Sequence, residues 1–268
     1  ARYRIKYYES LFPFLNEFND AEIDEELIRV VNDFETKVVE DDPIKNYLTK
    51  GEYENLTVSE RNQRALDRFL NSKKTTFQIG RDYERYIGYK YEQKGFNVTY
   101  HGIIEGLEDL GRDLICKKEK YTEIVQCKYW ASYKQIHEKH INQLFGTTVK
   151  FYIDSIRSTN NKIDSLLNQI KKGRVRPVFY TSTVLSETAK KFAESLGIEV
   201  HENELLKAYP LIKCHTNKVT GEKIYHLPFD QMYDKTKLEE RFDEFYAWTV
   251  IEAEEAGFRR AWKWKGNK

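Results

Sequence analysis

The stretch GRDLICKKEKYTEIVQCKYW, residues 111–130, decides how this chain folds. It holds two apolar, β-prone runs, Asp113–Lys117 and Thr122–Tyr129, separated by the charged turn KKEK. Side chains two apart on a strand share a face, so Gln126 and Lys128 point the same way. An adjacent antiparallel strand can then present Asp113 beside them. A strand that carries Gln and Lys on one face within an otherwise apolar run needs a chemical reason.

Working outward, Phe77–Lys94 reads as a helix, with Tyr83, Ile87 and Tyr91 at i, i+4, i+8 and Tyr86 beside them. Gly95 follows, where a helix end favours glycine. FNVTYHG is then a strand and IIEGLEDLGR a polar, glycine-rich loop. Downstream, a helix is expected over Ile136–Ile153 and another over Ile163–Lys171. The strand VRPVFYTST, the helix LSETAKKFAESLG, the short strand IEVHE and the short helix NELLKAY come next. Three consecutive strands can form a meander, and the later alternation implies a crossover. The fold class is therefore mixed α/β, a central mixed sheet flanked by helices. No GxGxxG follows a strand, which argues against a doubly wound dinucleotide fold.

The flanks read differently. Residues 1–74 form a helical segment, with one amphipathic helix through Ile23, Leu27, Val30, Val31 and Phe34 and a second from Ser59, as N-cap, to Phe69. Residues 75–210 are the core. Residues 211–268 are a small module combining a hairpin and a helix. The chain opens on Ala1 rather than Met, as an excised piece would.

The residues that suggest chemistry are Glu84 on the helix before the sheet, Asp113 at the start of one strand, and Gln126 and Lys128 on the next. Mg²⁺ takes oxygen ligands, usually one or two carboxylates, and keeps several waters. Asp113 is the expected central ligand, and Glu84 binds or orients. The Gln126 amide oxygen and the Cys127 main-chain carbonyl offer neutral oxygens. Lys128 would place a cation near an attacking water and the phosphoryl oxygens. Singly, each residue has a plainer explanation: a surface acid, a turn Asp, an edge-strand Lys. Their conjunction in this order favours phosphodiester hydrolysis.

GRDYERYIGYKYEQKGFNV, GRDLI and IVQCKYW together resemble the Mrr-like restriction endonucleases of the PD-(D/E)XK nuclease superfamily, in which the strand motif is often QxK, as in Gln126-Cys127-Lys128. The resemblance continues through IHEKHINQLFGTT and VFYTSTVLSETAKKFAESLGIEV and covers roughly 77–206. It implies a restriction-endonuclease-like core and Mg²⁺-dependent cleavage of DNA, with Mn²⁺ able to substitute, in defence against foreign DNA. It also implies a DNA or active-site contact at Gln143. Cutting both strands would call for two active sites, hence a homodimer on DNA. Gln126 in place of an acid removes one metal-binding charge. Two other readings follow: a structure-selective nuclease acting on branched DNA, and a DNA-binding or regulatory module whose site has degraded.

Further DNA contacts are expected at Arg112, next to Asp113, and at Trp130 and Lys134 just after the catalytic strand; core packing explains the nearby aromatics equally well. From Gly257 to Lys268 there are five bases and no acid, and Arg259, Arg260 and Lys263 there suit phosphate. From Glu17 to Asp42 eleven acids face two bases, most simply a solvated surface. The net charge is only +1 over 268 residues. No apolar run approaches the roughly 18 residues of a membrane span, and the opening residues lack a secretory signal, so a cytoplasmic location is expected. The three cysteines form no CxxC pair and suit reduced core thiols. His226 near Cys214 and His215 lacks a fourth zinc ligand and reads as structural.

Overall fold

Tyr121–Lys128 forms β3, the central strand, and its middle five residues are all buried. β2 (Leu114–Lys118) pairs with it antiparallel, Leu114 opposite Val125. β5 (Val175–Thr181) pairs with it parallel on the other side, Ile124 opposite Pro177. β1 (Asn97–Tyr100) and β7 (Glu199–His201) complete a five-stranded sheet of order β1-β2-β3-β5-β7. The computed structural model describes residues 42–105, 111–119, 121–157, 172–239 and 243–261. The helices expected at 23–34 and 163–171 lie outside the described residues.

Alternation along β3 divides the core in two. Val125 and Cys127 point to a tyrosine-rich layer built on α3 (Thr76–Glu92), where Tyr83, Tyr86, Ile87 and Tyr91 are buried as their spacing predicts. Ile124 points the other way, with Phe179, onto Ile141 and Leu144 of α5 (Glu138–Arg157) and Ala189 and Ala193 of α6 (Glu187–Leu196). The sheet is mixed and lies between two helical layers. Parallel β3–β5 and β5–β7 pairing requires a crossover each time, and α5 and α6 lie within those connections.

Boundaries follow local chemistry. Thr75 caps α3 through a reciprocal box with Gln78, and Gly95 beyond its end has φ +77°. Gly88, inside α3, faces the ring of buried Tyr100; a Cβ there would lie 2.4 Å from the ring Cε1. Ser186 caps α6 and Gly197 ends it in the left-handed region. α2 (Val58–Asn71) is capped by Thr57, boxed with Glu60, and not by Ser59 as expected, because the Ser59 hydroxyl bonds to Glu254 instead. The loop after β1 opens with one helical turn, α4 (His101–Glu105). Ile136 does not start α5; with Gln135 it forms β4 (Gln135–Ile136), parallel to β6 (Val184–Leu185). NELLKAY is not helical. The Asn203 and Glu204 N–H groups donate to the carbonyls of Thr183 and Thr181, holding the chain along the sheet.

The C-terminal hairpin exists, as β8 (Ile212–Thr216) and β9 (Lys223–His226), within a four-stranded sheet of order β10-β8-β9-β11. β10 is Phe245–Ala247 and β11 is Arg259–Arg260. Its core joins Ile212, Tyr225, Leu227 and Phe258 to Val250 and Ala253 of α7 (Val250–Glu255) and to Leu66 of α2. Asn62 on α2 donates to the Tyr225 hydroxyl at 2.6 Å, so α2 packs as part of this C-terminal layer. α1 (Lys50–Asn55) precedes it. Lys213 on β8 is fully buried among the rings of Tyr100, Tyr233 and Tyr246, its ammonium donating to the Thr236 carbonyl. The C-terminal layer thereby grips the edge of the main sheet.

Two outcomes are expected for stability. Gly88→Ala improves helix propensity but overpacks Tyr100, and should cost about 2 kcal/mol or more, read as a lower urea midpoint. His226 is buried, and burial first, then the positive charge of its neighbours, lowers its pKa to about 4. The unfolded His titrates near about 6.5. The unfolded chain therefore takes up the proton first as pH falls. The stability that neutral His226 contributes is complete above that value and lost down to about pH 4, on the order of 3 kcal/mol in all. His226→Gln should flatten that part of the acid profile, measured as the difference between variant and wild-type urea curves at pH 7 and 4.5.

Candidate active site

β2 begins one residue after Asp113, and the Asp113 N–H donates to the Val125 carbonyl at 3.0 Å. Carrying the β2–β3 register one step outward sets Asp113 opposite Gln126, on the same side of the sheet as Lys128. The Asp113 carboxylate is fixed by the Cys127 main-chain N–H, 2.6 Å from Oδ2. Cys127 thus meets Asp113 through its amide, whereas the sequence suggested its carbonyl as a ligand.

Here the start of β2 and the end of β3 face the first turns of α3 across an open cleft. Glu84, Asp113, Cys127, Lys128 and Trp130 all line it. Four of the residues expected to act on or bind DNA therefore meet in one place. Glu84 and Asp113 are each only 6% exposed. Two carboxylates so poorly hydrated favour a nearby cation. The two acids also add to burial in raising the pKa of the Cys127 thiol, well above the usual range. That thiol, like those of Cys116 and Cys214, is buried and unpaired with another sulfur.

Gln126 stands apart. It is 1% exposed and does not line the cleft. Its Nε2 donates to Gln143 Oε1 at 3.1 Å, which ties β3 to α5. Its Oε1 is buried and accepts no hydrogen bond among the described residues. Gly111, at φ +77°, presses against both amides; a Cβ there would come within 2.8 Å of Gln143 Nε2.

Carboxylates suit a hard divalent cation, and two of them line this cleft. No group of three or more His, Cys, Asp or Glu side chains arranged to hold a metal occurs among the described residues. Asp113 and Glu84 are the carboxylates that line the cleft, and Gln126 lies outside its lining.

The outlying DNA-contact residues fare unevenly. Trp130 lines the cleft, its main-chain N–H anchored by the Ser182 hydroxyl at 2.8 Å, and exposed Lys134 lies 5.7 Å from its ring centre. Tyr133 is exposed on the same turn. Arg112 is buried and does not project from the surface. Arg259 is half-exposed and paired with Glu222 at 2.9 Å. Arg260, expected to suit phosphate, is not presented at the surface. β11 turns it inward, where its guanidinium binds Asp42 at 2.9 Å and Asp230 at 2.6 Å with the side chain 5% exposed. Two buried carboxylates hold it, leaving none of its charge for phosphate. Lys263 lies outside the described residues.

A charged cleft residue, Arg81, escaped the sequence reading. Arg81 sits one turn before Glu84 on α3, with Phe77 and Gly80 on the same face. The signal was available: positions 77, 80, 81 and 84 share one face of a helix.

No protein-family model matches the chain, and no curated protein does. Among solved structures, the chain is similar to one titled "Crystal Structure of Protein of Unknown Function AF1548", at 19% identity and a TM-score of 0.30, over 47% of this chain and 60% of that one.

Proposed function

We propose that this cleft is the active site of a metal-dependent endodeoxyribonuclease, a hydrolase of DNA phosphodiester bonds on a restriction-endonuclease-like core. The observation that carries the reading is the convergence of Glu84, Asp113 and Lys128, from three elements far apart in sequence, on one open cleft. The strand order and the antiparallel–parallel change at β3 are consistent with such a core. Restriction of foreign DNA is the role the sequence resemblance favours.

In this proposal Asp113 and Glu84 hold a divalent cation such as Mg²⁺, which when bound offsets charge on the phosphate and lowers the pKa of a water. The Cys127 N–H keeps the Asp113 carboxylate turned to the site, so no reorganisation is needed when substrate arrives. Lys128 at the cleft wall offsets charge that builds on the phosphoryl oxygens and orients the attacking water by a hydrogen bond. Trp130 and Lys134 on the adjoining turn supply a stacking surface and a cation for the DNA strand.

A second reading has its own observation. Gln126 is a neutral amide where an acid would add a metal-binding charge, and it is bonded to Gln143 outside the cleft lining. A module that binds DNA without cutting it would look the same.

Nicking of supercoiled plasmid separates the two. With Mg²⁺ or Mn²⁺ the wild-type chain should nick, and chelator should stop it. Asp113→Ala and Lys128→Ala should each lower the rate by about 10²–10³-fold. Unchanged rates in both variants, or no nicking by wild type with either metal, would remove the catalytic reading.

A further inference from the structure

Two guanidiniums on α3 compete for a single carboxylate. Arg85 is buried and takes Asp234 bidentately, its Nε 2.8 Å from Oδ1 and its Nη2 2.7 Å from Oδ2. Arg81 reaches only the edge of the same group, its Nη2 3.4 Å from Oδ2. The neighbouring acid, Asp82, is engaged by Lys74 and lies 3.8 Å from Arg85. Asp234 is thus matched by Arg85, and Arg81 meets that carboxylate only at its edge, with Glu84 as the other acid near it. Its Nε is buried and finds no acceptor among the described residues. Burial, then the like charge of Arg85, pull its pKa below the usual arginine value. The side chain is 39% exposed, and it lines the cleft with Glu84, Asp113 and Lys128.

A guanidinium that is 39% exposed, held at one edge by Asp234 and lining an open cleft, can turn its forked donors to an oxyanion. We propose that Arg81 is a substrate-binding residue that grips a phosphodiester oxygen of the DNA backbone beside the Asp113–Lys128 pair. The proposal rests on the reading of this cleft as one that takes DNA. It also gives the C-terminal layer a part in the site. Asp234 follows β9 in the chain, in the short turn Tyr233–Lys235, and it limits how far Arg81 can swing.

The test measures binding and cleavage separately. Anisotropy of a fluorescein-labelled duplex is titrated with wild type, Arg81→Met and Arg81→Lys between about 50 and 200 mM salt, with Ca²⁺ present. Arg81→Met should weaken binding about tenfold. Its plot of log affinity against log salt should be shallower by about 0.9, the change expected when one phosphate is no longer neutralised. Arg81→Lys should keep the wild-type slope, because it keeps the charge. Both variants should melt within a few degrees of wild type, since Arg85 still holds Asp234. Unchanged affinity and slope in Arg81→Met overturns the proposal, and so does an equal loss in the Met and Lys variants. A large drop in melting temperature with binding intact assigns Arg81 to a structural ion pair and also overturns it. Plasmid nicking run alongside separates this from the reading beneath it. Arg81-dependent binding by a wild type that does not nick keeps the proposal and removes the nuclease. Nicking that Arg81→Met performs as well as wild type removes Arg81 alone. Absence of duplex binding by wild type removes both.

Discussion

Everything at the cleft depends on the burial of β3 from both sides. A strand covered by α3 on one face and by α5 and α6 on the other cannot shift its register by one residue. Such a slip would drive Val125 and Cys127 into the wrong layer and turn Gln126 into the tyrosines. With register locked, the positions of Asp113 and Lys128 are consequences of pairing and need no dedicated scaffold. The 2.6 Å bond from the Cys127 N–H to Asp113 refines that placement.

The cost of the arrangement is charge. Glu84 and Asp113 are held in a poorly hydrated place, which the Cys127 N–H and nearby cations offset. Lys128 and Arg81 line the same space. The C-terminal layer takes part in this balance through Asp234, while Arg260, Asp42 and Asp230 form a second buried ion group that ties its last strand to the residues before α1. Charged residues thus do two kinds of work here. Arg260 with its two acids holds layers together, and Glu84, Asp113, Lys128 and Arg81 line the cleft.

Much of this was legible in the sequence. The tyrosine spacing of α3, the three consecutive strands and the crossover order could be read from period and turn chemistry, and the meeting of Glu84, Asp113 and Lys128 at one cleft from the elements that carry them. The failures share one cause, which is long-range pairing. Ile136 left its expected helix to pair with Leu185, and NELLKAY gave up helical bonds for the carbonyls of Thr181 and Thr183. Ser59 lost the cap because Glu254, distant in sequence, took its hydroxyl. Arg260 looked like a free base because neither of its acids is a sequence neighbour. Gln126 was placed on the correct face but proved to be bonded to Gln143 behind the cleft wall, a distinction that periodicity cannot draw.

Alternation along β3 splits Cys127 between two environments: its amide serves the cleft while its sulfur lies among the tyrosines. The sulfur is sealed and held in its protonated form, so alkylating reagents would find no nucleophile there while the sheet is intact. Cys116, on the neighbouring strand, is buried more completely still. A thiol that becomes reactive in this chain would therefore mark parting of the sheet, which makes the native cysteines built-in reporters of local opening.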